Sequence, residues 1–296
     1  MYRRLAAALL LALLWVCAPM VAQEAVSPSL PLIAVLPLKG EGKGQFGDQS
    51  DAMYQKVMSA FFRTKRFEIM ERAQLAAVLG EAKFQNSGVV DDASAVALGK
   101  QLGVKFVVVG SYSGDMSHTV DRGTYKDGRM YENNYFPAKV TLNLRMVSVE
   151  NGRIQETFEA SGASKDDNPT RSLSNTFNDL TRKLDREVSN KFPLAGYVIQ
   201  VINEKEAMID LGKKVGVQPG DYFVIVQRGQ DIVHPVTGKV IPGKKTVLTE
   251  LKVTSVDDET ANVKISGSKI PLKVGQVIES KPKEAGFWEK FGDLGK

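Results

Sequence analysis

Four groups of residues in this 296-residue chain have types and spacing that chemistry could use. The first is Glu71-Arg72, an acid beside a base where the apolar stretch Phe67-Glu68-Ile69-Met70 stops and a helix-like run begins. Adjacent residues on a helix do not face each other, and no nucleophile or metal ligand stands near. The structural alternative is a helix start, where the macrodipole favours the Glu71 carboxylate and Arg72 opens the helix on its solvent side. The second is Gly238-Lys-Val-Ile-Pro-Gly243-Lys244-Lys245, one residue from a P-loop. Lys245 stands where a magnesium-binding Ser or Thr is needed, and Thr246 to Val253 reads as a strand. A phosphate cradle requires a helix N-terminus there. The third is the two histidines, His118 and His234, which fall in different predicted domains without partners at metal-ligand spacing. The fourth is the acidic pairs Asp91-Asp92, Asp166-Asp167 and Asp257-Asp258, each at a predicted loop or cap. With no GxSxG or HExxH, the expectation is no catalytic, cofactor or metal residue, and no enzyme.

The single cysteine, Cys17, closes an apolar run from Leu5 to Val16 that follows Tyr2-Arg3-Arg4. A basic start, a run of about a dozen apolar residues and a small-residue zone read as a secretory signal, with the cut after Ala22. Cys17 is then either the acylated first residue of a lipoprotein or a passenger in a discarded signal. Val16 is wrong for the position before a lipidated cysteine. The formal net charge of +5 becomes +3 once Arg3 and Arg4 are removed. That excess, without a clustered basic stripe, does not point to nucleic acid.

Two aromatic segments are candidate contacts. Residues 111–137 carry Tyr112, Tyr125, Tyr131, Tyr135 and Phe136 among glycines and charges. They form either an extended β-hairpin with a wet tip or a surface for protein contact, which aromatics suit. In the tail, Phe287, Trp288, Phe291 and Leu294 fall at helical spacing. They can dock on a partner, on a bilayer surface or back on the protein's own barrel.

The elements that must hold these residues follow from periodicity. Leu32 to Leu36 is a fully buried strand, and Gly40 to Gly44 a flexible loop. A helix follows with Met53, Val57, Ala60 and Phe61 on one face. Strand 66–70 leads to a helix burying Leu75, Val78, Leu79 and Ala82. The next helix starts near Asp92, shows Ala95, Leu98, Gly99 and Leu102, ends at Gly103 and feeds the strand Lys105 to Val109. Val140, Leu142 and Leu144 alternate with polar residues before a tight Asn151-Gly152 turn. Ile154, Glu156, Phe158 and Ala160 share one face of the return strand. Asn168-Pro169 caps a long helix with Leu173, Phe177, Leu180, Leu184 and Val188 along one side. Beyond residue 194 short strands separated by Gly and Pro make a small barrel or sandwich. The expected organisation is a signal peptide (1–22), a leader (23–31), an α/β or α+β domain (32–192), a β domain (194–281) and an amphipathic tail (282–296).

Ile33-Ala34-Val35-Leu36-Pro37, Arg66-Phe67-Glu68-Ile69-Met70-Glu71-Arg72-Ala73-Gln74-Leu75, Ser87-Gly88-Val89-Val90-Asp91, Leu98-Gly99-Lys100-Gln101-Leu102-Gly103 and Leu142 to Val149 occur in an order that resembles the CsgG family. That family includes the curli secretion channel. Gly216-Val217-Gln218-Pro219-Gly220-Asp221, His234-Pro235-Val236-Thr237-Gly238-Lys239-Val240 and Lys273-Val274-Gly275 resemble the C-terminal domain of the flagellar assembly protein FlgT, whose members usually carry Asp where this chain has His234. The resemblance implies a CsgG- or TolB-N-like mixed sheet with packed helices, then an SH3-like or similar barrel. It implies a periplasmic cell-envelope scaffold acting on other apparatus proteins, or on copies of itself in a ring, at the outer-membrane periphery. A subunit of an outer-membrane secretion channel is the alternative. Residues 111–137 are too polar for a membrane-spanning hairpin, and the place of a second, Ser164 to Thr170, is a short acidic loop.

Overall fold

The computed structural model is described over residues 30–42, 49–80, 91–241, 243–267 and 270–284. Cys17, the signal and Phe287, Trp288 and Phe291 lie outside those residues, as do Ala82, most of the Ser87–Asp91 motif and the second half of the Gly40–Gly44 segment.

The first unit is a mixed sheet. Strands β1 (Leu32–Val35), β2 (Lys39–Gly42), β3 (Glu68–Ile69), β4 (Phe106–Met116), β5 (Thr119–Thr124), β6 (Met130–Ser148) and β7 (Ile154–Asp166) form it with helices α1 (Ser50–Thr64), α2 (Arg72–Leu79), α3 (Asp92–Leu102) and α4 (Pro169–Lys191). β1 lies parallel between β3 and β4, and β6 lies antiparallel between β4 and β7. Buried Met53, Val57, Ala60 and Phe61 of α1 and Phe177, Leu180, Leu184 and Val188 of α4 share one core with the strands, as their spacing requires. Asn168 caps α4 by accepting the Arg171 N–H, with Pro169 in the first turn.

Alternation along the strands decides which face each helix covers. Leu142, Leu144, Phe158 and Ala160 are buried on one face. There Gly162 lies so near α4 that a Cβ would stand 2.1 Å from the Thr176 carbonyl. On the opposite face Val107 and Val149 pack against Gly99 of α3, and Arg145 reaches Asp92 at 3.3 Å. Beyond that point the opposite face is polar, with Ser113, Asp115, Lys139, Asn143 and Glu159 exposed.

Four expectations change. The Gly40–Gly44 segment begins as strand, because Lys39–Gly42 pairs in parallel with the far half of β4. Gly40 is needed for close approach, since a Cβ there would meet the Tyr112 hydroxyl at 2.6 Å. Val78 is 41% exposed: α2 is a short helix beside the edge strand β3 and buries Leu75 alone among its described side chains. The β6–β7 turn is a longer connection, 149–153, in which only Gly152 takes positive φ (+68°). Asn151 instead accepts the Arg153 N–H. Ile154 is exposed because the register shifts between Met146 and Val147, breaking its alternation with Phe158 and Ala160.

The second unit is a closed barrel in the order β10 (Tyr222–Arg228), β13 (Lys245–Val256), β14 (Ala261–Ile265), β9 (Glu206–Ile209), β8 (Ala195–Asn203), β15 (Val277–Ser280). A separate pair, β11 (Ile232–Val233) and β12 (Val240–Ile241), leaves it between β10 and β13. Inward residues such as Val198, Ile209, Phe223, Leu251, Val263 and Ile278 fill a core of its own.

The two units meet at Arg66. Its Nε donates to the Phe192 carbonyl at 2.7 Å, and its Nη1 donates to the carbonyls of Thr64 (2.6 Å) and Val215 (3.2 Å). One guanidinium thus joins the end of α1, the end of α4 and a 3-10 turn of the barrel. Asn190 and Lys283 exchange a second pair of hydrogen bonds, 3.1 and 2.7 Å, across the same junction.

Candidate interaction ribbon

β6 outruns its neighbours. β4 pairs with it from Met116↔Ala138 inward and β7 from Asp166↔Phe136 inward, while β5 pairs with residues Met130 to Tyr135. That last segment is therefore a two-stranded ribbon extending past the end of the sheet. The pairs Gly123↔Tyr131, Asp121↔Asn133 and Thr119↔Tyr135 lie on one face. Gly123 is required there, because the Tyr131 ring lies across its backbone and a Cβ would meet the ring at 2.4 Å. Tyr125, at the turn, stands 4.9 Å from Tyr131 between ring centroids, and Arg129 lies 5.8 Å from the Tyr125 ring.

The stripe does not stop at the base of the ribbon. Tyr131, Tyr135, Pro137 and Lys139 share parity on β6, so they continue onto a stretch of sheet face that no helix among the described residues covers. Lys165 of β7 places its Nζ 4.5 Å from the Tyr135 ring centroid. A shallow groove of about 460 Å³ follows, lined by Asp115, Pro137, Lys139, Ala163 and Lys165 among others. From Tyr131 to Lys139 the stripe runs about 26 Å at ~3.3 Å per residue. It offers aromatic faces, two lysines and two carboxylates, Asp115 and Asp121. On the reverse face Phe136 stacks on His118 at 4.9 Å, and His118 shares a 2.7 Å hydrogen bond with Asn134.

Of the aromatic residues in 111–137, Tyr125, Tyr131, Tyr135 and Phe136 thus gather on or beside the ribbon. Tyr112 does not. It is 1% exposed, closes over Gly40 and lies 3.1 Å from the Ser50 hydroxyl, so it is a core residue and presents nothing to a partner. Its position on β4 points it at the helix-covered face.

The residues that could do chemistry have structural engagements. Glu71 is the N-cap residue of α2, and Arg72 pairs with Asp51 of α1 at 3.0 Å. Asp91 caps α3 by accepting the Ser94 N–H, which holds its carboxyl below the usual carboxylate range. Asp166 and Asp167 both grip Arg171. The near-P-loop runs from the β11–β12 hairpin into β13, with no helix behind it. Among the described residues no group of three or more His, Cys, Asp or Glu could hold a metal ion, and no helix is long and apolar enough to cross a membrane.

Two features had a sequence signal that periodicity alone did not single out. Lys165 falls at a predicted acidic loop but is brought over Tyr135 by the β6–β7 register. Ile232-Val233 and Val240-Ile241, spaced symmetrically about His234 to Lys239, mark the exposed barrel hairpin.

Residues 204–277 match the family described as Flagellar assembly protein T, C-terminal domain. A protein of Aquifex aeolicus (strain VF5), described as uncharacterized, is 30% identical over 105 residues, which is 33% of this chain and only 21% of that relative. Solved structures share partial likeness. Lipoprotein GNA1162 from Neisseria meningitidis is 14% identical, over 54% of this chain and 99% of its own, with a TM-score of 0.35. The PelC dodecamer from Paraburkholderia phytofirmans is 11% identical, over 54% and 86%, with a TM-score of 0.31. The LpoB C-terminal domain from Escherichia coli is 12% identical, over 45% and 82%, with a TM-score of 0.31. Residues 39–189, just over half the chain, match the family described as Curli production assembly/transport component CsgG, and the chain belongs to that family.

Proposed function

We propose that this protein is a non-enzymatic assembly component of the cell envelope, exported to the periplasm, that works by binding other envelope proteins or copies of itself. The observation that carries the reading is the stripe from Tyr125 and Tyr131 through Tyr135 to Lys139 and Lys165, set on a ribbon beyond the sheet and on the stretch of its second face that lies clear of α3. Tyrosine is among the side chains enriched at energetically dominant contact points. The matches to CsgG and to the flagellar C-terminal domain support an envelope apparatus as the setting.

The channel reading has less to support it. A membrane-spanning barrel strand needs about nine to eleven residues with an apolar outer face. β5 has 6 residues, and its pairs with β6 put Asp121/Asn133 on one face and Arg122/Glu132 on the other. Between β7 and α4 only residues 167 and 168 remain, which leaves no second hairpin there.

The test is the native mass of the protein recovered from soluble and membrane fractions, for the natural chain and for Tyr131→Ser with Tyr135→Ser. The expected result is a complex released without detergent that shrinks in the double variant. A complex extracted only by detergent, with ion conductance on reconstitution, would overturn the reading in favour of a channel. An unchanged mass in the variant would remove the stripe from the interface.

A further inference from the structure

Between β10 and β13 the chain leaves the barrel as a ribbon whose two strands pair only with each other, Ile232↔Ile241 and Val233↔Val240. Neighbouring residues on a strand point to opposite faces. One face therefore carries Ile232 and Ile241, the other Val233 and Val240. All four are exposed, and Val236 at the tip is 86% exposed. A hairpin on a protein surface ordinarily hides one face and wets the other; this one hides neither.

The ribbon is nonetheless built. His234 Nδ1 accepts the N–H groups of Val236 (3.2 Å) and Thr237 (3.3 Å). The His234 N–H donates to the Lys239 carbonyl, and the Gly238 N–H to the His234 carbonyl, with Gly238 at φ +65°. The imidazole thus ties two backbone donors at the tip. At the base the Gly243 N–H donates to Asp231 Oδ1 at 2.9 Å, and Gly229 and Gly243 lie backbone to backbone.

The charges are one-sided. From Arg228 to Lys245 the only acid is Asp231, which already accepts the Gly243 N–H. Arg228 and Lys245 pair with Glu279 of the barrel. Lys239 near the tip and Lys244 at the base have no ion-pair partner among the described residues.

We infer that this hairpin is an interfacial membrane anchor that inserts its Val236 tip and Ile/Val side chains into the head-group boundary of an anionic bilayer. A protein surface docked flat would cover one apolar face and leave the other in water, whereas a lipid interface surrounds both. Free lysines beside apolar side chains match lipid phosphates, the lysine stems lying along the apolar part while the ammonium groups stay at head-group level. Insertion is shallow, because the outer edges of a two-stranded ribbon carry unpaired backbone groups that hydrocarbon would not tolerate; a depth of about 5–10 Å suffices. The inference does not depend on the tyrosine stripe, which lies in the other unit.

The test is co-sedimentation of the full chain with vesicles of phosphatidylcholine and phosphatidylglycerol at about three to one, and with phosphatidylcholine alone. The natural chain is expected to bind the mixed vesicles, and Val236→Asp to bind about tenfold or more weakly. Lys239→Glu with Lys244→Glu should lose binding to the mixed vesicles only. Val236 is almost fully exposed, so an unchanged circular dichroism melt is expected to accompany the loss. A natural chain that stays in the supernatant, or a Val236→Asp chain that binds as well as it does, overturns the inference. So does binding that disappears only when Phe287 and Trp288 are changed to Ser, which would assign it to the tail. A Val236→Asp chain that keeps its vesicle binding but loses native mass would make the hairpin a protein contact instead.

Discussion

Replacing Arg66 by Met keeps most of the aliphatic stem and removes the guanidinium that joins the two units. Three carbonyls, Thr64, Phe192 and Val215, then lose their donor. Hydrogen bonds to charged groups contribute about 1.5–3 kcal/mol each. Against this stands the cost of burying the guanidinium: burial pushes its pKa down to about 10, with Asp221 pulling it back up. Some of the freed carbonyls also rehydrate as the cavity of about 380 Å³ at the junction opens. The net loss expected is about 3 kcal/mol. For a chain of this size that lowers the melting temperature by about 6–12 °C. The effect has a signature beyond its size, because each unit has its own core and Arg66 acts between them. Scanning calorimetry should show one cooperative transition in the natural chain and two in Arg66→Met, with the barrel and the mixed sheet melting separately. Lys214→Met, which removes an exposed pair with Glu259, serves as the control and should leave the profile as it is. A single transition at an unchanged temperature in Arg66→Met would refute the reasoning, since the junction would then be held by contacts other than Arg66, such as the paired hydrogen bonds of Asn190 and Lys283.

Two further perturbations test the packing and the electrostatics. Gly162→Ala forces a methyl against the Thr176 carbonyl and the Leu180 backbone, at 2.1 and 2.8 Å, and should destabilise by about 1–3 kcal/mol in a denaturant melt; an unchanged midpoint would mean α4 shifts freely on β7. Asp185 on α4 pairs with Arg63 at 2.7 Å, yet its buried Oδ1 has no hydrogen-bond partner. Burial raises its pKa from 3.8 to about 6, outweighing Arg63 and Lys283. The protonated form is thus favoured in the fold: its contribution is present below pH 3.8 and is lost as pH rises through about 6. The shift corresponds to at most about 3 kcal/mol, and the 28% exposure of the side chain reduces it through screening. Stability measured from pH 4 to 7 should fall more steeply in the natural chain than in Asp185→Asn; parallel curves would show that Arg63 keeps the carboxylate ionised throughout.

Elements whose formation depends on local pattern were legible in the residues. The α4 helix follows from Asn168-Pro169 and the apolar spacing of Phe177, Leu180, Leu184 and Val188, and all four residues are buried. The strand at Leu32 and the helix–strand handover through Gly103 follow in the same way, with Gly103 in the left-handed region as a helix stop requires. The Glu71-Arg72 junction also reads as a helix start, with Glu71 at the N-cap position where a carboxylate is favoured. The order of the two family motifs needs no coordinates, since it is a property of the chain alone.

What only the tertiary structure decided is which side chains meet across strands far apart in sequence. Tyr112 and Tyr135 look alike in a row of letters, but β4 aims Tyr112 into the core over Gly40, while β6 carries Tyr135 onto the open face beneath Lys165. A one-residue change of register would turn either side chain to the opposite face, and register depends on the hydrophobic faces of both paired strands and on the turns between them. Arg66 is an ordinary basic residue until two chain segments 126 and 149 positions away supply carbonyls beside that of Thr64. The exposed apolar hairpin at Ile232 to Ile241 reads locally as any short strand pair. Only the closure of the barrel, which satisfies its own core without it, leaves both of its faces uncovered.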